Sequence, residues 1–225
     1  MADYGLEVRN NSNIVMIDSL FKNHSYLESG SVSAQQYINS VDITPVQLTP
    51  YAFIKAPTDY AYIYAVEQNV DTGYYDKISI TSNSAQTVNW ILYQEGHTKA
   101  VPDYGLTVYN LDATNNIVFH SAEDGYVNVI NNRIIGNGNV SVVDADNNYF
   151  AVLGGTEKYQ YSYSNGYYTE QRYATGIKYV DSTTINVNAF VYYLYSFPIA
   201  GGGITGSGSQ VSSGQLIEMS PPITL

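Results

Sequence analysis

The phrase Asp3-Tyr4-Gly5-Leu6 returns 100 residues later as Asp103-Tyr104-Gly105-Leu106 and divides the chain into two halves. The similarity continues beyond the phrase through three further correspondences: Val8 with Val108, Asn10 with Asn110 and, after a shift of two residues, 15–19 with 117–121. Each copy opens a segment of domain size, which is longer than the ~20–50 residues of a solenoid repeat. The repeat therefore predicts two tandem copies of one module, each beginning with a hairpin of the same design.

The composition and the periodicity of the chain are typical of strands and turns. Tyrosine occurs 24 times, against six Phe and one Trp, and long stretches of the helix-forming residues Ala, Leu, Glu and Lys are absent. Residues 60–65 alternate tyrosine with Ala or Ile, and Val88, Trp90 and Leu92 fall on one face of a second alternating stretch. Short strands separated by turns predict an all-β fold of two tandem antiparallel β-sandwich modules with a flexible C-terminal arm.

Turn and linker signals divide the chain into three parts. We expect a first β-sandwich module over residues 1–100 and a second over residues 103–199. Residues 200–225 begin with a run of Gly and Ser that is typical of flexible linkers and end in a short apolar segment. That segment is a candidate docking arm, which would bind a neighbour by strand addition or insertion into a groove. Its apolar residues are Leu216, Ile217, Met219, Ile223 and Leu225.

The internal similarity extends beyond the opening hairpins. Residues 149–153 resemble residues 51–54, and residues 177–191 resemble residues 78–92 in pattern. The duplication is therefore expected to cover whole modules. Within the second module, Asn165-Gly166 is the strongest short hairpin signal of the chain, because this dipeptide favours a two-residue type I′ turn.

Charge and cysteine content exclude several classes of partner and chemistry. The formal net charge of −11 and the sequence pI of about 4.4 argue against nucleic acid, because phosphate binding needs clustered Lys and Arg, and also against anionic lipid. The absence of cysteine removes disulfides, thiolate catalysis and Cys-ligated zinc. No apolar run is long enough to span a membrane, and no secretory signal is recognised, so synthesis in the cytoplasm of the producing cell is expected.

No catalytic or cofactor motif is present in the chain. The three histidines, His24, His97 and His120, lie far apart and lack the spacing of metal ligands, so surface or strand-edge positions are expected. Neither glycine-rich segment matches a phosphate-binding loop. We therefore expect a protein without enzymatic activity, cofactor or metal. A glycan hydrolase stays open as an alternative, because its two carboxylates converge through the fold and not through the sequence.

One acidic segment has part of a calcium-binding pattern. Asp144, Asp146 and Asn148 have the D-x-D-x-N spacing of a calcium loop. The sixth position is Tyr149 where that loop requires Gly, and the twelfth is Gly155 where it requires Glu. These departures favour a polar hairpin tip over a calcium site.

Tyrosines cluster around the hairpin at Asn165-Gly166 and form the main candidate binding site. Tyrosine has a large, rigid ring and a polar end, which suits a protein interface. Aromatic rings also stack against sugars, and cross-strand tyrosine ladders can be purely structural. We favour a protein interface and keep both alternatives. The candidate residues are Tyr159, Tyr161, Tyr163, Tyr167, Tyr168 and Tyr173.

The opening motif resembles a family of viral proteins. Tyr4-Gly5-Leu6-Glu7-Val8-x-Asn10, a short turn and an apolar run ending in Asp18-Ser19 resemble the start of small tail-associated virion proteins of tailed bacteriophages. Members commonly end the module with an alternating strand that carries a Trp, as residues 87–93 do with Trp90. The second copy departs from the pattern, because His120 stands where the first copy has Asp18.

This resemblance implies a non-enzymatic structural protein of the virion, at the tail tip or baseplate. Such a protein is synthesised in the host cytoplasm and assembles with other virion proteins, here as an expected homo-oligomer. A carbohydrate-binding or receptor-binding adhesin module that contacts a host surface glycan or protein is the alternative, and a capsid decoration protein is another. Neither nucleic acid nor membrane insertion is expected.

Overall fold

The computed structural model describes residues 7–9, 15–18, 24–55, 57–95, 107–109, 117–120, 128–153, 158–164, 167–198, 206–207 and 214–221. These residues form strands, turns and bends and contain no helix, hence none that could cross a membrane. The strands of the first half are β1 (Glu7–Arg9), β2 (Val15–Asp18), β3 (His24–Ala34), β4 (Asn39–Val46), β5 (Tyr51–Lys55), β6 (Ala61–Gln68), β7 (Tyr75–Ser82) and β8 (Gln86–Glu95). Those of the second half are β9 (Thr107–Tyr109), β10 (Ile117–His120), β11 (Asn128–Ile135), β12 (Gly138–Ser141), β13 (Tyr149–Leu153), β14 (Lys158–Ser164), β15 (Tyr167–Asp181), β16 (Thr184–Pro198), β17 (Gly206–Ser207) and β18 (Gly214–Ser220).

The two opening hairpins have the same register, as the repeat predicts. Strand β1 pairs antiparallel with β2, with Glu7 opposite Asp18. Strand β9 pairs antiparallel with β10, with Thr107 opposite His120. Asp18 and His120 therefore occupy equivalent positions, and the two additional residues of the second copy come between its paired strands in the sequence. The phrase at 3–6 and 103–106 lies outside the described residues.

Two antiparallel sheets form the body of the protein, and both modules contribute to each sheet. The strand order of the first sheet is β11-β18-β13-β5-β8-β3, and that of the second is β12-β16-β15-β6-β7-β4, with β14 and β17 attached beyond β15. The modules meet where β5 pairs with β13 and β6 pairs with β15. The all-β antiparallel sandwich is thus confirmed, and each module supplies three strands to each of the two six-stranded paths.

The order of the strands is the same from the module junction outward on both sides. In the first sheet β5, β8 and β3 correspond to β13, β18 and β11, and in the second sheet β6, β7 and β4 correspond to β15, β16 and β12. The duplication therefore covers whole modules. The match of residues 177–191 to residues 78–92 is wrong, however. Strands β15 and β16 pair in the second sheet, whereas β7 and β8 lie in different sheets. The prediction failed because an alternating pattern identifies a strand but not the strand with which it pairs.

One apolar core lies between the sheets and is shared by both modules. It includes Ile54, Ile78 and Leu92 from the first module and Ile177 and Leu216 from the second, all at most 2% exposed. A cavity of about 20 Å³, with room for about one water, lies at the junction. The shared core thus bridges the boundary predicted between the modules at 1–100 and 103–199.

The C-terminal segment is a central strand and not a free arm. Strand β18 lies between β11 and β13 and pairs with both. Leu216 is 1% and Met219 0% exposed, and Ile217 is half-buried against a second apolar cluster. The predicted docking arm over 200–225 is therefore wrong for these three residues, because an apolar strand is buried equally well in its own sheet. Ile223 and Leu225 lie outside the described residues.

A buried carboxylate occupies the β18 position that corresponds to Leu92. Ala52 is opposite Leu92 in the first module, and Phe150 is opposite Glu218 in the second. Glu218 is 1% exposed. Its Oε1 atom accepts hydrogen bonds from the backbone N–H groups of Val143 at 2.7 Å and Asp144 at 3.1 Å, and from Asn148 Nδ2 at 2.8 Å. Glu218 thus holds the loop between β12 and β13 against the C-terminal strand.

We expect Glu218→Leu, which installs the residue of the first module, to lower the free energy of unfolding by about 2 kcal/mol, because it leaves three donors without their acceptor. Glu218→Gln keeps an oxygen acceptor and should lose less. Urea unfolding of both variants measures the difference. A Leu variant as stable as the wild type would mean that the three hydrogen bonds contribute no net stability.

Candidate functional site

Strands β14, β15 and β16 form an extension that has no counterpart among the described residues of the first module. Strands β15 and β16 have 15 residues each, against eight in each of β6 and β7. Residues 167–173 of β15 pair with β14 on one side and with β16 on the other. Ser164 is opposite Tyr167, so β14 and β15 pair as the predicted hairpin requires, and Asn165-Gly166 lies outside the described residues. The extension is therefore an addition to the duplicated body, and its sequence is rich in tyrosine.

Cross-strand register defines the two faces of this extension. In an antiparallel pair, residues directly opposite each other lie on the same face. Arg172 is opposite Tyr193, and Glu170 is opposite Tyr195. On the other side of β15, three tyrosine positions of β14 are opposite residues of this face: Tyr159 is opposite Arg172, Tyr161 is opposite Glu170 and Tyr163 is opposite Tyr168. One face thus combines a row of aromatic positions with one acidic and one basic residue.

A β-bulge at Tyr192 connects the extension to the first module. Between Arg172 and Tyr173 the register shifts from Tyr193 to Val191, so that Tyr192 is an extra residue of β16 at this point. The side chain of Tyr192 is buried, and its ring lies 5.9 Å from the ring of Tyr64. Its carbonyl oxygen accepts a hydrogen bond of 2.7 Å from the backbone N–H of Tyr37. Bulges often redirect a side chain at functional sites. At this bulge the carbonyl oxygen of Tyr192 binds the loop between β3 and β4.

Tyr37 has an unusual backbone conformation. Its φ is +75°, and no other non-glycine residue among those described has a positive φ. This region is unfavourable for a residue with a bulky side chain and costs about 1–3 kcal/mol, so it persists only where the surroundings impose it. Two hydrogen bonds do so, the one from its backbone N–H to Tyr192 and one of 3.0 Å from its hydroxyl to the carbonyl oxygen of Leu194. Tyr37 is nevertheless 49% exposed.

Rings and charges meet at this point of the surface. The Tyr37 ring lies edge-on to Tyr193 at 5.8 Å, and Tyr193 is stacked beside Tyr195 at 6.4 Å. The Arg172 guanidinium lies 4.8 Å from the centre of the Tyr193 ring, and its Nε donates to Glu170 Oε1 at 2.7 Å. We call these five residues, Tyr37, Glu170, Arg172, Tyr193 and Tyr195, the aromatic face. Every ring or charge in it has a partner, and it is partly open to solvent.

The structure divides the six predicted tyrosines between two faces. Tyr159, Tyr161, Tyr163 and Tyr168 occupy positions on the face of Arg172 and Glu170, whereas Tyr167 and Tyr173 alternate with these positions on β15. Tyr167 is 52% exposed, and the Tyr173 hydroxyl donates to Gln171. The six tyrosines thus belong to one hairpin but lie at positions on both of its faces.

The residues missed at the sequence level are Tyr37, Tyr193 and Tyr195 with Arg172 and Glu170. The alternation of β16 offered a signal for Tyr193 and Tyr195, because a long strand next to the hairpin must pair with it. Tyr37 offered none, since its position depends on a loop that contacts the other module 157 residues away.

The other candidate sites have structural roles where the structure describes them. Asp144 Oδ1 accepts from the backbone N–H groups of Asp146 and Asn147, and its Oδ2 accepts from Asn147 Nδ2, which is the pattern of a polar turn. Tyr179 donates to Asp146 Oδ1. Among the described residues, no group of three His, Asp or Glu side chains could hold a metal ion. His97 lies outside these residues, and for His120 only the strand position is described.

Burial and an aromatic contact determine the environment of His24. The ring lies edge-on to Tyr51 at 4.4 Å. Burial lowers the pKa of His24 below its usual 6.5, and the neighbouring Glu95 carboxylate opposes this shift. The unfolded chain then binds the proton more tightly than the folded one.

We therefore expect the contribution of His24 to stability to be complete above pH 6.5 and to be lost as the pH falls from there towards the lower folded pKa. The difference in unfolding free energy between wild type and His24→Gln, measured by urea unfolding between about pH 5 and pH 7, should become more favourable to the wild type as the pH rises. A difference that does not change with pH would contradict the lowered pKa.

The architecture defines a class: an all-β protein of two fused, topologically equivalent half-sandwiches, with a tyrosine-rich extension on the second. No protein-family model, no curated protein and no solved structure matches the chain.

Proposed function

We propose that this protein is a non-enzymatic structural component of a tailed-phage virion, at the tail tip or baseplate, and that it assembles through protein–protein contacts at the aromatic face. The proposal of a virion protein is based on the sequence resemblance of the opening hairpins. The contact surface is inferred from the geometry of Tyr37, Tyr193 and Tyr195.

The observation that carries the proposal is the fixed and exposed position of Tyr37. A strained backbone persists only where the surroundings impose it, and such strain concentrates at functional sites. Here Tyr37, which is 49% exposed, lies edge-on to Tyr193, and Tyr193 is stacked beside Tyr195, which is 51% exposed. Rings that are already ordered lose little conformational entropy on binding, and Tyr and Arg are common among the residues that dominate interface energies.

The test replaces rings on this face and measures incorporation into particles. Tyr37→Asn keeps a residue that tolerates positive φ, and Tyr193→Ser with Tyr195→Ser removes the stacked pair. The phage that encodes the chain would carry the triple variant, and the amount of chain in purified particles would be measured by mass spectrometry. We expect at least a tenfold loss.

Tyr51→Ser is the matched control, because Tyr51 is 52% exposed and lies on the first sheet, away from the aromatic face. Thermal unfolding of both variants separates a lost contact from a lost fold. Normal incorporation of the triple variant would refute the role of this face, and absence of the wild-type chain from particles would refute the virion proposal itself.

Binding of a bacterial surface glycan is a second candidate. Tyr193 and Tyr195 are stacked side by side at an interplanar angle of 30°, with Glu170 and Arg172 on the same face. Such an arrangement could stack on sugar rings and hydrogen-bond their hydroxyl groups. Saturable binding of purified chain to a glycan array that is lost in the same triple variant, and kept in Tyr51→Ser, would favour this function over assembly.

A further inference from the structure

We propose that the aromatic face binds a second copy of this chain in a two-fold symmetric contact, in which Glu170 of each copy lies against Arg172 of the other. This inference rests on the proposed function, because it names the partner of the same face. It follows from the order of charges and rings along the extension.

The first argument is the local charge of the face. Copies of a chain with a net charge of −11 repel each other, although salt screens this repulsion beyond a Debye length of about 8–10 Å. A close contact between copies therefore favours a surface without excess negative charge. The aromatic face fulfils this condition, since Arg172, one of only nine basic residues in the chain, neutralises Glu170 within it.

The second argument is self-complementarity. In a two-fold contact the same surface is used on both copies, so that if one residue contacts a second, that second residue contacts the first. Glu170 and Arg172 are two positions apart on one strand and hence side by side on one face. When two such strands face each other in opposite directions, each carboxylate meets the guanidinium of the other copy. A pair of like charges at these positions would be repulsive in the same arrangement.

The third argument is the position of the rings around these charges. Tyr193 and Tyr195 are opposite Arg172 and Glu170 on β16, and the register sets Tyr159 and Tyr161 opposite the same two residues on β14. The charged pair is thus central in a row of aromatic positions on either side. Interfaces commonly have aromatic residues and Arg at their centre, and rings that exclude water strengthen the charge pairs between them. The side chains of Arg172 and Glu170 are 33% and 17% exposed, which leaves area for a partner to cover.

The test is a charge exchange followed by sedimentation or light scattering over a range of concentrations. Glu170→Arg and Arg172→Glu should each raise the dissociation constant of the homodimer at least tenfold, because each places like charges opposite each other. An equimolar mixture of the two single variants should form heterodimers, and the double variant Glu170→Arg/Arg172→Glu should regain the homodimer. The regain shows that the single variants were not simply misfolded.

Two control variants reproduce the same changes of net charge elsewhere. Asp71→Arg lies in the exposed turn between β6 and β7, and Lys77→Glu is exposed on β7. Both should leave the dissociation constant within about twofold of the wild type.

Three results would overturn the proposal: a wild-type chain that stays monomeric at all concentrations, single variants that still form homodimers, or a mixture of the single variants that stays monomeric. A monomeric wild type that enters particles only when the aromatic face is intact would refute the two-fold contact alone, and the proposed assembly function would stand with another virion protein as the partner. Incorporation into particles that does not depend on the aromatic face would refute the assembly function separately.

Discussion

A chain that ends at residue 213 is expected to lose the cooperative folding of its second module. The truncation removes β18, which lies between β11 and β13 and supplies the buried residues Leu216 and Met219. Loss of each large buried side chain costs about 2–5 kcal/mol, and the backbone hydrogen bonds to both neighbours are lost as well. Since whole domains are stable by only about 5–15 kcal/mol, little or no folding free energy remains.

The measurement is urea unfolding followed by circular dichroism and by the fluorescence of Trp90. We expect either no native baseline or an early transition of the second module, with Trp90 reporting how far the first module survives. A chain that ends at residue 221 is the control, because it keeps β18 intact, and it should unfold as the wild type does. An unchanged midpoint for the shorter chain would contradict the central position of β18.

This expectation also changes how a deletion experiment is interpreted. Removing residues 200–225 would abolish incorporation into particles whether or not the segment docks to a neighbour, because the fold would be lost first. Only variants that keep β18 test a contact in the assembled particle, and for this reason the experiments above replace residues on the aromatic face.

The second large effect is expected for Gly176→Ala, which changes one residue at the junction of the modules. A Cβ atom on Gly176 would lie 2.5 Å from Phe190 Cε1 and 2.7 Å from the carbonyl oxygen of Ala61. Both distances are below any normal contact, and the carbonyl belongs to the β6 backbone, which pairs with β15 at Ala61 and Ile177. To relieve this clash, the strands of the two modules would have to move apart. We expect a loss of about 3 kcal/mol, near the upper end for overpacking of a core.

Thermal unfolding measures this loss, which corresponds to a decrease in Tm of about 6–12 °C for a chain of this size. Gly136→Ala is the control, since nothing lies within 4 Å of the Cβ position at Gly136, and its effect should stay within about 0.5 kcal/mol. A Gly176→Ala variant with the stability of the wild type would show that the junction is not closely packed.

Local signals in the sequence predicted the elements of this fold well. The alternation over 60–65 predicts a strand with Tyr60 and Tyr62 on one face and Ala61 and Ile63 on the other. In the structure Ala61 and Ile63 belong to the core, whereas Tyr60 and Tyr62 pack against a separate cluster that contains Phe190 and Tyr192. The Asn165-Gly166 signal predicts a hairpin, and the antiparallel pairing of the flanking strands β14 and β15 agrees with it. These signals succeed because backbone periodicity and turn geometry depend on neighbouring residues alone.

The sequence predicted the arrangement of these elements less well. The apolar pattern of residues 215–219 is the same whether the strand is buried in its own sheet or in that of a neighbour, so the pattern alone does not distinguish the two. Its partners in β11 and β13 are more than 60 residues away. Likewise the aromatic face joins Tyr37 to Leu194 across 157 residues, through a loop conformation that no local pattern predicts.

By itself, then, the sequence determined that the chain is all-β, that it is duplicated, and that a tyrosine-rich hairpin belongs to the second copy. The tertiary structure alone decided that the copies fuse into shared sheets, that the C-terminal strand completes one of them, and that a strained tyrosine from the first copy completes a face on the second. The physical reason is that strand formation is governed by short-range periodicity, whereas strand pairing is selected by the burial of apolar surface between segments that are distant in the chain.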